Sequence, residues 1–104
     1  MKRSSQFHVY IVECIDGTFY TGYTNNLEKR ITMHNNGSGA KYLKGKRPVK
    51  LVYAKEFRYY KNAINEERFI KKLSRKKKEE RIKEYHVELM KTSSNGDQKK
   101  NETF

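Results

Sequence analysis

The stretch Phe7-His8-Val9-Tyr10-Ile11-Val12-Glu13-Cys14-Ile15-Asp16-Gly17-Thr18-Phe19-Tyr20-Thr21-Gly22-Tyr23 decides how this chain folds. Phe7 to Cys14 is rich in β-branched and aromatic side chains. Its apolar groups fall on both parities, the pattern of a central strand covered on two faces. Asp16-Gly17 is a hairpin signal, and Thr18 to Tyr23 returns as a second strand. Loop length then matters, because side chains alternate with period two. An even loop sets Tyr10 and Tyr20 on opposite faces; an odd loop sets them on the same one. The expectation is the odd loop, a three-residue turn with Gly17 left-handed.

A helix pattern follows. Asn25 reads as its N-cap with Glu28 as capping-box partner, and Gly37 supplies the stop after about Asn36. Leu27, Arg30, Ile31 and His34 fall at i, i+3, i+4 and i+7 and share one face. Leu27 and Ile31 must point at the sheet, so Arg30 and His34 point there too, or at its edge. An inward guanidinium is costly unless paired, so it calls for an anion, either a structural carboxylate or a substrate phosphate.

Gly37 to Pro48 is a glycine- and lysine-rich loop. Val49 to Phe57 reads as a third strand, with Leu51, Tyr53 and Lys55 on one parity. A second helix is expected from about Lys61 to Leu73, marked by Ala63, Ile70 and Leu73. Ser74 can cap a third from Arg75 to about Met90, with Ile82, Tyr85 and Leu89 as its stripe. Ala63, Glu67 and Ile70 lie at i, i+4 and i+7, so Glu67 borders the buried face. Glu66 sits near that stripe as well, and periodicity does not choose between them. An inward carboxylate in a basic domain is more often an ion-pair partner than a metal ligand.

At 104 residues the chain reads as one domain. The expected organisation is a flexible N-terminus over 1–6, a folded domain over 7–91 and a disordered polar tail over 92–104. Only 35% of residues are hydrophobic, so eight Tyr and five Phe must fill much of a compact core. The net charge of +12 attracts polyanions. No run approaches the ~18 apolar residues of a spanning helix, and Met1-Lys2-Arg3-Ser4-Ser5-Gln6 precedes no apolar signal region. A lone cysteine, Cys14, cannot form an internal disulfide and suits a small core residue. A cytoplasmic protein is the expectation, with no membrane association and no obligate protein partner. Lys41, Lys44, Lys46, Arg47 and Lys50 form one basic cluster, interleaved by Tyr42. Lys71, Lys72, Arg75, Lys76, Lys77 and Lys78 form another. Such runs are usually a solvated face; beside a phosphate-handling site they read as a groove tracking a nucleic-acid backbone.

Tyr10, Tyr20-Thr21-Gly22, Arg30, His34 and Glu67 occur in the order and spacing of the GIY-YIG nuclease superfamily. The chain resembles in particular its small UPF0213 (YhbQ/YazA-like) branch. Matching stretches include Asp16-Gly17, Tyr20 to Asn25, Ala40-Lys41-Tyr42, Arg47 to Tyr53 and Ile70 to Arg75, so the resemblance spans about residues 7–84. His8-Val9-Tyr10 stands where the family has Gly-Ile-Tyr, and Thr21 replaces the Ile of the second triplet. The resemblance implies an α+β fold, a small three-stranded antiparallel sheet flanked by about three helices. It also implies hydrolysis of DNA phosphodiesters with a single divalent ion, Mg²⁺ or Mn²⁺, and selects Glu67 over Glu66 as metal ligand. Arg30 would then stabilise charge on the scissile phosphate. Tyr10 and Tyr20 would orient and activate the attacking water, and His34 would assist proton transfer or position a tyrosine.

The chemistry is coherent in itself. A single carboxylate suits Mg²⁺, which keeps most of its waters. Arg matches phosphate with a fork of donors that Lys lacks, and beside Arg30 and a metal a phenolate would be easier to form. Two hypotheses result. The first is a metal-dependent nuclease on DNA with little sequence preference. The second is a non-catalytic module binding DNA or structured RNA, motivated by the stretch after Glu67, which lacks the Asn of many active members.

Overall fold

A computed structural model describes residues 6–102, with side chains described for residues 6–91. Residues 1–5, nearly all of the segment expected to be a flexible N-terminus, lie outside the described residues, as do 103–104. The chain divides into two units, one ending at Leu73 and the other beginning at Ser74.

In the first unit, β1 (Phe7–Glu13) is the central strand of a three-stranded antiparallel sheet of order β2-β1-β3. Val9, Tyr10, Ile11 and Val12 are all buried, as a strand apolar on both parities requires. The hairpin to β2 (Phe19–Thr24) has the odd loop. Cys14 N–H donates to Thr18 O at 2.8 Å, Gly17 N–H to Cys14 O at 2.8 Å, and Gly17 sits at φ 87°. Ile15, Asp16 and Gly17 therefore form the turn, and Asp16 Oδ1 braces it by accepting from Thr18 N–H at 3.1 Å. The resulting register sets Tyr10 opposite Gly22 and Val12 opposite Tyr20, so Tyr10 and Tyr20 share a face.

Asn26 caps α1 (Leu27–Asn36), correcting the expected Asn25: its side chain accepts from Lys29 N–H at 3.1 Å. The shift has a local cause. β2 runs on to Thr24, whose Oγ1 accepts from Asn26 N–H at 3.1 Å and turns the chain one residue later. Glu28 then falls one position short of the capping-box site. Gly37 ends the helix as expected, at φ 93°, with Ser38 N–H returning to Met33 O at 3.0 Å.

The loop that follows contains a 3₁₀ turn, Lys41–Leu43, which buries Leu43 against Tyr10, Val12, Cys14 and Val49. Asn35 ties this loop into β3 (Lys50–Phe57): its Oδ1 accepts from Val49 N–H at 2.7 Å and its Nδ2 donates to Val49 O at 3.2 Å. Ile11 pairs with Tyr53 but Val12 with Leu51, so Val52 is an extra residue in β3. The bulge reverses parity. Leu51 packs on the Tyr10 side while Tyr53 faces the Ile11 side, which corrects their expected common face.

Leu27 and Ile31 of α1 cover the Tyr10 face. The opposite face carries Phe7, Tyr23 and Tyr53, and these touch α2 (Tyr60–Lys71) through Tyr60 and Glu66. Ala63 and Ile70 are its buried anchors, as their spacing predicts.

The second unit is α3 (Arg75–Glu102), with Ser74 Oγ accepting from Lys77 N–H at 3.3 Å as the expected cap. The helix passes Met90, its expected end, and its backbone takes in 92–102 of the stretch that composition reads as a disordered tail. No proline interrupts the hydrogen-bond ladder there. No helix among the described residues is long and apolar enough to cross a membrane.

Candidate active site

A pocket of about 300 Å³ opens at the β2 edge of the sheet, and Tyr10, Tyr20, Arg30, His34 and Glu67 all line it. The odd hairpin loop brings the two phenols together, with ring centroids 6.4 Å apart. Gly22 makes room for them: a Cβ there would lie 2.6 Å from Tyr10 Oη and 3.2 Å from the Tyr20 ring. The inward stripe of α1 delivers Arg30 and His34. Among the described residues no carboxylate forms a salt bridge with Arg30.

His34 is 2% exposed and its Nε2 lies 2.7 Å from Tyr10 Oη. The backbone N–H of Ala40 donates to Nδ1 at 3.2 Å. Nδ1 must therefore carry its lone pair, which leaves the hydrogen of the neutral ring on Nε2 and makes Tyr10 oxygen its acceptor. The Tyr10 hydroxyl hydrogen is thus directed away from His34. Burial, and then the Arg30 charge, lower the His34 pKa below its usual 6.5, which keeps the ring neutral.

Burial pushes the Tyr10 phenol well above its usual 10.0, and Tyr20 adds to this. Arg30 opposes the shift without reversing it. At Tyr10 desolvation outweighs the guanidinium. Tyr10 rests as a neutral phenol.

Glu67 projects from α2 with its side chain 13% exposed and its carboxylate 3.2 Å from Lys71 Nζ. Glu66 does not line the pocket; it accepts a hydrogen bond from Tyr53 Oη at 3.4 Å. Among the described residues no three His, Cys, Asp or Glu side chains gather as a metal cage. One carboxylate in a pocket lined by three phenols, those of Tyr10, Tyr20 and Tyr23, is a hard-oxygen donor set. It fits an ion such as Mg²⁺, which takes one or two carboxylates and completes its shell with water and phosphate.

Tyr42 of the predicted basic loop stacks on Tyr20, with centroids 5.8 Å apart. Lys46 is held by Asp16 at 3.4 Å, Arg47 donates to Asn35 O at 3.3 Å, and Lys71 pairs with Glu67. Arg75 belongs to the second unit, where it pairs with Glu79 at 3.0 Å. Lys41, Lys44 and Lys72 are exposed and form no ion pair among the described residues.

Sequence reasoning missed three participants. Tyr23 lines the pocket, and a hydrogen bond with Tyr60 raises its pKa. Ala40 sets the His34 tautomer through its backbone, which no side-chain pattern reports. Gly39 lies so close to His34 that a Cβ would collide with Nδ1; the Gly-Ser-Gly run was its only signal.

A family model described as the GIY-YIG catalytic domain matches residues 6–81. A UPF0213 protein of Clostridium perfringens is 56% identical over 71 residues, covering 68% of this chain and 76% of that protein. The UPF0213 protein YazA of Bacillus subtilis is 51% identical over 84 residues, covering 81% of this chain and 84% of YazA. The solution NMR structure of the protein EF2693 from E. faecalis superposes with a TM-score of 0.58 at 40% identity, covering 84% of this chain and 93% of that one.

Proposed function

The chain belongs to the GIY-YIG family, in its UPF0213 branch, and from that premise we propose that it hydrolyses DNA phosphodiester bonds with one divalent ion, Mg²⁺ or Mn²⁺. GIY-YIG is a nuclease-type family. One observation carries the proposal. A buried phenol–imidazole pair, a second phenol, a carboxylate and a guanidinium without an ion pair among the described residues line a single pocket.

Arg30 binds the scissile phosphate with paired donors and offsets the charge that develops on it. His34 holds Tyr10 oxygen by donating from Nε2, so the Tyr10 hydroxyl turns its hydrogen to a water or a phosphate oxygen in the pocket. Tyr20, on the same face and less buried, orients that water through its hydroxyl. Glu67 would hold the ion, which when bound supplies Lewis acidity and a more acidic water. Lys71 leaves Glu67 for that purpose and is then available to a backbone phosphate. Lys41, Lys44 and Lys72 supply contacts that position a strand without reading its sequence.

Branched, nicked and single-stranded DNA incubated with the protein and Mg²⁺ should be cut. Glu67→Ala should lower the rate by at least about a hundredfold. Equal cleavage by wild type and variant would overturn the proposal. Salt-sensitive binding with no cleavage under any metal would favour the non-catalytic module instead.

A further inference from the structure

Two half-exposed tyrosines each stand one ring away from the pocket. Tyr42, 50% exposed, stacks on Tyr20 with planes 23° apart. Tyr60, 52% exposed, meets Tyr23 edge-on at 5.8 Å. Tyr20 and Tyr23 both line the pocket, and their spacing along β2 sends them to opposite faces of the sheet. β2 is an edge strand. A polymer crossing that edge over Gly22 therefore meets an aromatic ring on each side of the pocket.

We infer that Tyr42 and Tyr60 are base-stacking residues that bracket the pocket and select an unpaired nucleic-acid strand over a duplex. This inference rests on the nuclease reading above and names its substrate class. Every base has a π-face that can lie on a tyrosine, whichever base it is. In a duplex those faces are already covered by the neighbouring pairs, so the rings find nothing to stack on. Arg30 takes the phosphate between the two platforms, and the exposed Lys41 and Lys44, close to Tyr42 in the chain, follow the backbone. Lys46 Nζ lies 4.2 Å from the Tyr42 centroid. Asp16 holds that ammonium at 3.4 Å, and it gives up the Tyr42 ring face when a base takes it.

The alternative, that these rings only support Tyr20 and Tyr23, makes different predictions. Binding is measured by fluorescence anisotropy in EDTA, with a labelled thymidine homo-oligonucleotide and a blunt duplex of equal length. Tyr42→Ala and Tyr60→Ala should each weaken single-strand binding about tenfold and leave duplex binding unchanged. The slope of log affinity against log salt should not move, because a ring releases no counterion. Tyr42→Phe and Tyr60→Phe, which keep the ring, should bind as wild type. Alanine variants that hold the single strand normally, that lose both substrates alike, or that are matched in weakness by the phenylalanine variants would overturn the inference and leave the nuclease reading standing. A wild type that binds neither polymer at low salt would overturn both.

Discussion

His34 ties chemistry to stability. Its ring is buried between Tyr10 oxygen and the Ala40 N–H, and protonating Nδ1 would set a donor against a donor. Because its folded pKa lies below the usual 6.5, the unfolded chain binds the extra proton first as pH falls. The stability that neutral His34 contributes is therefore complete above about pH 6.5 and is lost as pH drops from there through the folded pKa. The melting temperature should fall between about pH 7 and 5, and His34→Gln should flatten that slope; equal slopes in the two proteins would show that His34 is not responsible. Gly22 is a steric requirement on the other side of the pair that Tyr10 and His34 form. Gly22→Ala puts a methyl 2.6 Å from Tyr10 Oη, so the ring must shift and overpacking should cost about 1–3 kcal/mol. Cleavage should fall by about a hundredfold, since misplacing a reacting group by ~1 Å has that effect. A variant as active as wild type would mean that Tyr10 Oη does not act from its observed place.

Among the elements, the hairpin and α1 do most to form the site. The three-residue turn sets the phenols on one face, and the cap at Asn26 sets the rotation of the helix that carries Arg30 and His34. Asn26→Ala should lower stability by about 1 kcal/mol, whereas Asn25→Ala, at an exposed position without a cap bond, should be neutral. Denaturant melts of the two variants distinguish them, and the reverse order would restore the cap read from sequence. The β3 bulge shows a different limit. Alternation predicts faces only while pairing is regular, and one extra residue at Val52 separates Leu51 from Tyr53.

For the whole molecule the decisive quantity is charge. A net +12 is tied down locally at Lys46, Arg47, Lys71 and Arg75, while Lys41, Lys44 and Lys72 point into solvent without an ion pair among the described residues. If about six phosphates or more are neutralised on binding, affinity for DNA should drop about a thousandfold between roughly 50 and 200 mM salt. Anisotropy titrations across that range measure it, and a flat response would sink the electrostatic account.

Sequence alone determined the local and periodic features: the central strand, the odd hairpin, the inward stripe of α1, the glycine that ends it and the anchors of α2. Each of these follows from neighbours a few residues apart, where alternation, helical period and turn chemistry act directly. It also ordered the five polar residues that now share a pocket. Tertiary structure decided what depends on approach between distant segments. The tautomer of His34 is set by a backbone N–H six residues away that only the loop's return brings into place. The Tyr10 phenol is held neutral by burial, a sum over every element packed around it. Glu66 and Glu67, adjacent in the chain, part company because one reaches Tyr53 and the other the pocket. Desolvation and steric contact are properties of assembled surfaces, and no spacing along the chain encodes them.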